Sequence, residues 1–383
     1  MTDTLTAWGL EDGDWRASAR VQVETPLHGG GDWDAVIVGA SFAGLAAAIE
    51  LSAAGRVLLL DRAEVGEGET SACATPLRVL EHLQALEAVE QVHHEVVFHF
   101  PSGRERRYRP AFPFATFDYR RLCELLAART DATFLRATVE GYDPDRDLVV
   151  SSAGSVRGRV LIDASGWRTV LGSSLRPGLV ERRAMSLGLE RRIDRREQGL
   201  HFWVFPRELH CGMGWLFPAG DHSRAGLACY KGQGGLKLPL RHLFAGDPDV
   251  HVLHGGFFPA RLRDPVVGPV FLVGDAAGQC LPVTGEGIRP ALVYGQRAGR
   301  LARRVLTGEL ELADALTTYR RAVLEQRAGW LLLAALQKAA LATPRLLPPA
   351  LAWLFGAGPL AGPAQRAYLR LAPPELLSPT GRP

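Results

Sequence analysis

"DAVIVGASFAGLAAAIELSAAGRVLLLDR", residues 34–62, decides the fold. Residues 35–38 and 57–60 are apolar without alternation, as expected of parallel strands covered on both faces. The Ala- and Leu-rich segment between them predicts a helix with a small-residue face close to a sheet. The turn joining first strand to helix reads "GASFAG", residues 39–44. At such a turn the free N–H groups and the helix dipole attract an anion, by up to ~2 kcal/mol when partly buried. Gly39 permits the tight turn and Gly44 lets helix and strand pack closely. Ser41 stands where a second glycine usually lets backbone approach phosphate; it is small and adds a hydroxyl donor. Asp61 ends the second strand, 22 positions after Gly39, where a carboxylate can accept from both ribose hydroxyls and would repel a 2′-phosphate. The unit therefore predicts a site for a dinucleotide pyrophosphate.

Further along, "FLVGDAAGQCLPVTGEGI" (residues 271–288) opens as a buried strand, then turns to small residues and glycines before a helix-like stretch. Asp275, at the end of that strand, can accept from the polyol hydroxyls of a ribityl chain. The glycines let backbone amides reach a ring carbonyl, and a helix N-terminus near Gly287 favours negative charge on a flavin pyrimidine. A nicotinamide dinucleotide needs no such second segment, so the two stretches together point to FAD. No second strand-linked glycine fingerprint appears: "GQGG" (232–235) and "GAGPLAG" (356–362) lack strand, helix and acidic partner. The reductant, NAD(P)H or a protein electron donor, is expected to visit transiently.

These stretches, with "LIDASG" (161–166), resemble the FAD-dependent oxidoreductases of the p-hydroxybenzoate hydroxylase type. "GDAAG…P…TGEGI" combined with "GMGWLFPAGDHSRAGLACY" (212–230) is most similar to the geranylgeranyl reductase family, which uses reduced FAD to saturate isoprenoid double bonds. The resemblance covers roughly residues 34–310. It implies an α/β fold: a Rossmann-like FAD-binding domain with an inserted, mostly antiparallel β-sheet substrate domain and a helical C-terminal region. It also implies non-covalent FAD held by Gly39, Ser41, Phe42, Ala43 and Gly44 at the pyrophosphate, and by Asp61 and Arg62 at the adenosine ribose. Val139 would offer backbone to adenine, and Asp163 and Gly166 would form a middle fingerprint. Asp275 would hold the ribityl chain, with Gly285, Gly287 and Ile288 facing the pyrimidine. Arg120 is the arginine assigned to the cofactor near the helix that follows Asp118. The loop "GETSACATPL" (68–77) would bring Cys73 to the isoalloxazine, as a flavin contact and a candidate catalytic residue; Ala74 departs from the glycine common there. Trp203, Phe205, Trp215, Phe217 and Pro218 are expected on the substrate cavity, against the alternative of an aromatic core.

Domain limits follow from the change of pattern. Residues 1–33 read as an extension. Residues 34–100, 115–172 and 265–310 form a discontinuous FAD-binding domain, 101–114 and 173–264 the substrate domain, and 311–383 a helical tail. In the segment from about 184 to 264, short alternating runs such as "HFWVFP" predict antiparallel strands.

The 383 residues carry a formal net charge of +3, and no block of Lys and Arg stands apart from acidic neighbours, which argues against a nucleic-acid partner. Arg104, Arg106, Arg107 and Arg109 read as solvated surface. Five cysteines without metal-ligand spacing fit a reducing cytosol rather than a disulfide framework or zinc site. His210, His222, His251 and His254 are scattered and suggest no base, and capping is the safer role for Glu286. In the apolar tail every charge between Glu325 and Glu375 is basic. Two readings stand: core-covering helices broken at Pro344 and Pro348, or a surface (residues 329–371) resting on an anionic membrane and admitting a greasy substrate. Rivals to the reductase reading are a flavin monooxygenase or halogenase, a carotenoid-cyclase-like isomerase, and a non-catalytic flavin-binding protein. The lysine and two-tryptophan motif of halogenases are not recognisable.

Overall fold

The computed structural model describes residues 32–69, 71–247, 253–356 and 358–379. The expected extension lies outside the described residues except for Asp32 and Trp33.

The first sheet has eight strands, with Val266–Val267 and the hairpin Val139–Asp143/Leu148–Ser151 added antiparallel to a parallel core of five, in the order Val270–Leu272, Gly154–Asp163, Asp32–Val38, Val57–Asp61 and Thr133–Arg136. Their apolar runs are buried on both faces, as the unbroken pattern requires. Val38, Asp61, Asp163 and Leu272 thus end along one edge of the sheet. The helix Phe42–Leu51 is buried along its whole length, and the long helix Ile288–Leu306 lies against it. Glycines permit that approach: a Cβ on Gly295 would stand 2.4 Å from the Ala43 carbonyl oxygen, and one on Gly299 2.5 Å from that of Ala47. This packing delivers the start of the long helix to the end of the first turn.

The second sheet has seven strands, in the order His254–Pro259, Met185–Ile193, His222–Cys229, Gly212–Ala219, Leu200–Val204, Val96–His99 and Glu105–Tyr108. All neighbours are antiparallel except Leu200–Val204 with Val96–His99. The substrate sheet therefore draws in residues from Val96 onward, earlier than the boundary at 101 expected from sequence.

Period-two alternation gives this sheet two unlike faces. Leu187, Leu189, Ile193, Leu216, Ala225 and Leu227 point to one side and are buried beneath Leu240 and Phe244 of the helix Lys237–Leu243 and its end. Each such leucine contributes roughly 2 kcal/mol by leaving water. On the other side a cross-strand row runs His254, Glu190, Gly226, Trp215, Phe202, Phe98. That second face turns toward the parallel-sheet domain.

The tail folds as the helices Leu312–Leu324, Arg327–Ala342, Leu347–Gly356 and Ala361–Leu369. Trp330, Leu333, Gln337 and Ala340, at helical spacing, are the buried stripe of the second of these. Pro344 does lie between helices. Pro348, expected to break one, instead sits in the first turn of Leu347–Gly356, where its missing N–H leaves no hydrogen bond unmade.

Candidate active site

The carboxyl edge of the parallel sheet is shaped by close backbone contacts. Gly39 has φ +109°, and a Cβ there would lie 2.2 Å from the Ala164 carbonyl oxygen; one on Gly44 would lie 1.8 Å from that of Gly39. Asp61 accepts from the amides of Ala40 (2.7 Å, Oδ2) and Ala63 (3.0 Å, Oδ1). The carboxylate so braces the turn, and each oxygen keeps a lone pair for a hydroxyl. Arg62 is exposed beside it and close enough to Arg168 that the two cations repel. Ser41 accepts from the Tyr119 hydroxyl at 3.0 Å, while Phe42 is buried edge-on against Phe117 and Tyr119. Phe42 and buried Ala43 can thus offer only backbone to a ligand. Arg120 follows in the helix Tyr119–Ala127 and stands over Gly66, on the wall of a cleft of about 560 Å³ that also meets Glu69 and Arg192.

Asp163 departs from the expectation of a cofactor contact. It is fully buried and accepts from Ser165 N (3.1 Å), Ser165 Oγ (2.6 Å), Leu171 N (2.8 Å) and Gly172 N (3.0 Å). Its carboxylate clamps the loop carrying Ala164, and so works on the turn indirectly. Gly166 has φ +72° with open space where a side chain would be. Val139 opens a hairpin strand just after Ala137, whose amide donates to the Asp61 carbonyl at 2.7 Å.

Asp275 is brought alongside by Gly274, where a Cβ would come 3.0 Å from that of Ala43. Among the described residues the Asp275 carboxylate accepts no hydrogen bond. Burial pushes its pKa up to about 6, against the opposing pull of the Arg263 guanidinium. Gly285 has φ +66°, and Gly287 caps the long helix without a side-chain partner. The amides of Gly287, Ile288 and Arg289 donate to no described group, and Pro290 has none to donate. An acceptor-only group lacking donors, helix amides lacking acceptors and glycine clearances between them fit FAD, whose ribityl hydroxyls and pyrimidine carbonyls would satisfy both sets.

The segment before Gly285 is under tension. Val283, β-branched, has φ +71°; its amide donates to Gln337 Oε1 at 2.7 Å and its carbonyl accepts from the Tyr230 hydroxyl at 2.5 Å. Glu286 does not cap the helix. It forms a two-pronged pair with Arg289 (2.8 Å on each prong) and accepts from Tyr368 of the tail.

The open face of the seven-stranded sheet meets this turn, with Phe258 3.6 Å from where a Gly285 Cβ would be. Trp215 and Phe217 share that face with Phe202, which sequence did not single out. Trp203 lies on the opposite face, against Phe244 (5.2 Å) and stacked on His99 (4.3 Å), because it follows Phe202 by one residue. Pro218 likewise alternates with Phe217, and its carbonyl accepts from Thr116 Oγ1 at 2.6 Å. Phe205 is buried beyond the end of its strand, with φ +50°.

Gly226 opens a gap on this face. A Cβ there would be 2.1 Å from Cζ2 of Trp215, so the indole crosses the gap and donates to Glu190 Oε2 at 2.6 Å. Fully buried Arg224 pairs with Glu69 and with Glu90 (3.4 Å); Arg192 reaches Glu69 at 3.0 Å. Glu190 Oε1 is 3.9 Å from Arg224 Nη1 and 3.4 Å from His254 Nε2. Burial pushes Glu190 up to about 7, with Arg224 opposing. Glu190 and Arg224 were not foreseen, the available signal being charge inside the otherwise apolar strands "MSLGLERRI" and "HSRAGLAC", and His254, read from sequence as one of four scattered histidines, joins them here.

Cys73 borders the same cluster, yet has no exposed surface. Its Sγ donates to Glu69 Oε1 (3.4 Å) and the Ser71 carbonyl (3.3 Å). Burial pushes the thiol pKa well up, Arg224 opposes, and Glu69 and Glu190 add to the rise. The thiol stays protonated at neutral pH, which removes the basis for a catalytic thiolate.

No protein-family model matches the chain. It is 29% identical over 331 residues to digeranylgeranylglycerophospholipid reductase 1 of Methanopyrus kandleri, covering 75% of this chain and 85% of that protein. A geranylgeranyl bacteriochlorophyll reductase-like protein of Thermoplasma acidophilum has the same fold, with TM-score 0.73, 18% identity, and coverage of 91% of this chain and 98% of the other. PqsL of Pseudomonas aeruginosa, a probable FAD-dependent monooxygenase, aligns with TM-score 0.62 and 18% identity over 83% of this chain and 98% of its own. The chain is thus similar in sequence to a digeranylgeranylglycerophospholipid reductase and shares its fold with a geranylgeranyl reductase-like protein and a probable FAD-dependent monooxygenase.

Proposed function

We propose that this chain binds FAD non-covalently and saturates C=C bonds of an isoprenoid or similarly apolar chain. The observation that carries the reading is the meeting of unpartnered groups with an aromatic wall: Asp275 and the amides of Gly287 and Ile288 on one side, Phe258, Trp215 and Phe217 on the other. Bound and reduced, FAD supplies a hydride. The turn Gly39–Ser41–Gly44 would hold the pyrophosphate, Asp61 and Arg62 the ribose, Arg120 the cleft side, and Asp275 the ribityl chain. The unpartnered helix amides favour electron-rich character at the pyrimidine and so raise the driving force for accepting electrons. Trp215, Phe217 and Phe258 exclude water and align an apolar chain. The electron donor, NAD(P)H or a protein, docks transiently in this reading.

Access from a lipid surface is part of the proposal. Leu331, Leu332, Leu346, Trp353 and Leu360 are exposed on the tail helices and the turns between them, with Lys338, Arg345, Arg366 and Arg370 exposed among them. Among the described residues no helix is long and apolar enough to cross a membrane, so contact would be peripheral. Sedimentation with anionic vesicles but not zwitterionic ones is the expected result.

Anaerobic incubation of the photoreduced, FAD-loaded protein with a panel of polyprenyl lipids tests the activity. Product gaining two hydrogens per bond is expected. Oxygen insertion under air would point to a monooxygenase, unchanged mass with a new product to an isomerase, and no product to a flavin-binding protein.

A further inference from the structure

We propose that Glu190 and His254 store and deliver the proton that completes saturation of the double bond. The inference rests on the reductase reading above. Hydride addition to one alkene carbon leaves the π pair on the other, which must take a proton. A proton source is therefore needed on the wall facing the turn at Gly285. The two residues are directly cross-strand on that face, with Nε2 and Oε1 3.4 Å apart.

Three features single out this pair. First, Glu190 Oε1 and both ring nitrogens of His254 are buried, and among the described residues the 3.4 Å approach of Glu190 to His254 is their nearest polar contact with each other, short of a well-aligned hydrogen bond. A buried polar group left without a well-formed hydrogen bond costs up to about 1–3 kcal/mol, which packing alone does not explain. Second, charge in the cluster does not balance if every carboxyl is ionised and His254 is neutral: among the described residues Glu69, Glu90 and Glu190 face the two cations Arg192 and Arg224. Glu69 and Glu90 take the guanidinium contacts. Glu190, 4% exposed and 3.9 Å from Arg224, is the carboxyl left to hold a proton. Third, Trp215 fixes the other Glu190 oxygen from the neighbouring strand, and Cys73, on the loop beside Glu69, stays neutral. The carboxyl proton is thus aimed away from Trp215, toward His254, whose side chain is 22% exposed.

In the step itself, a C–H bond forms from the hydride and a second from the proton delivered by the Glu190–His254 pair. The O–H or N–H bond of the pair breaks, its electron pair remains on the pair as glutamate or neutral imidazole, and solvent reprotonates it. The pair titrates as a unit. Glu190 is protonated below about 7, and burial lowers the pKa of His254, with Glu69 opposing and Arg224 and Arg192 assisting. Activity should therefore fall as pH rises through about 7.

Glu190→Gln keeps the neutral shape and an acceptor for Trp215. With FAD-loaded protein and a digeranylgeranyl glycerophospholipid in detergent, single-turnover saturation should slow by roughly 10²–10⁴-fold. Flavin occupancy and photoreduction should not change. His254→Gln should slow it too, and the fall above neutral pH should disappear in both variants. Infrared difference titration of resting wild-type protein gives a readout independent of lipid: a protonated carboxyl band should vanish as pH passes about 7 and be absent from Glu190→Gln. A wild-type rate in Glu190→Gln, or no such band in wild type, overturns the assignment. Wild-type protein that makes no saturated lipid yet has the band sinks the reductase reading while leaving the protonated Glu190 standing.

Discussion

The carboxyl edge of the parallel sheet and the open face of the seven-stranded sheet meet at Gly285, yet they are made by opposite means. At the edge the working groups are mostly backbone, set by glycines packed against other backbone, as Gly39 against Ala164 and Gly44 against Gly39. On the face they are side chains, and their neighbours come from strands 25 to 64 residues distant, such as Trp215 and His254 beside Glu190. Steric rules govern the first region and electrostatic balance the second. In the proposed reading a cofactor common to many chemistries suits the rigid edge, and the reaction-specific groups stand on the face.

Substitutions can break this contrast, and the largest effect belongs to the edge. Gly44→Ala would drive a methyl into the Gly39 carbonyl, and a loss of about 3 kcal/mol or more of stability is expected by chemical denaturation, with no bound flavin. Near-wild-type stability would mean that the turn yields easily and the steric account is wrong. Asp275→Ala comes next: the protein should purify folded but nearly colourless, with flavin affinity reduced about 100-fold, or some 2.7 kcal/mol. Full yellow occupancy would contradict the ribityl assignment. Trp203→Ala sharpens the comparison from the other side of the sheet. Removing an aromatic from the packed face should cost roughly 2 kcal/mol while leaving flavin content and product profile intact. A changed lipid preference in that variant would place the substrate on the wrong face. Val283→Gly is the smallest: relieved backbone strain and added chain entropy should nearly cancel, leaving stability within about 1 kcal/mol of wild type by thermal melting.

This contrast also explains what could be read from the linear chain. Strand–turn–helix–strand order, the tight turn at Gly39 and Gly44 and the strand-end places of Asp61 and Asp275 are legible because each depends on residues adjacent in sequence or on the end of one strand. Asp163 was misread since its partners, Leu171 and Gly172, belong to a helix whose start no motif marks. Trp203 and Pro218 were put on the cavity because aromatic composition tells nothing about which side of a strand a residue takes; register does. Glu190 was invisible and His254 was read as a scattered histidine for the same reason, since a lone charge in a strand acquires meaning only from the strand beside it. Cys73 was assigned by its loop, whereas its chemistry follows from the carboxylates that surround it.

The turn at Val283 joins three parts of the molecule through two anchors, Tyr230 on the substrate sheet and Gln337 on a tail helix. A β-branched residue in that conformation relaxes once either anchor lets go. The geometry two residues later, at Gly285, is thus held like a tent rope pegged at both ends. Displacing the tail slackens it, and the seating of the tail becomes a condition for the shape of the wall at the proposed flavin site.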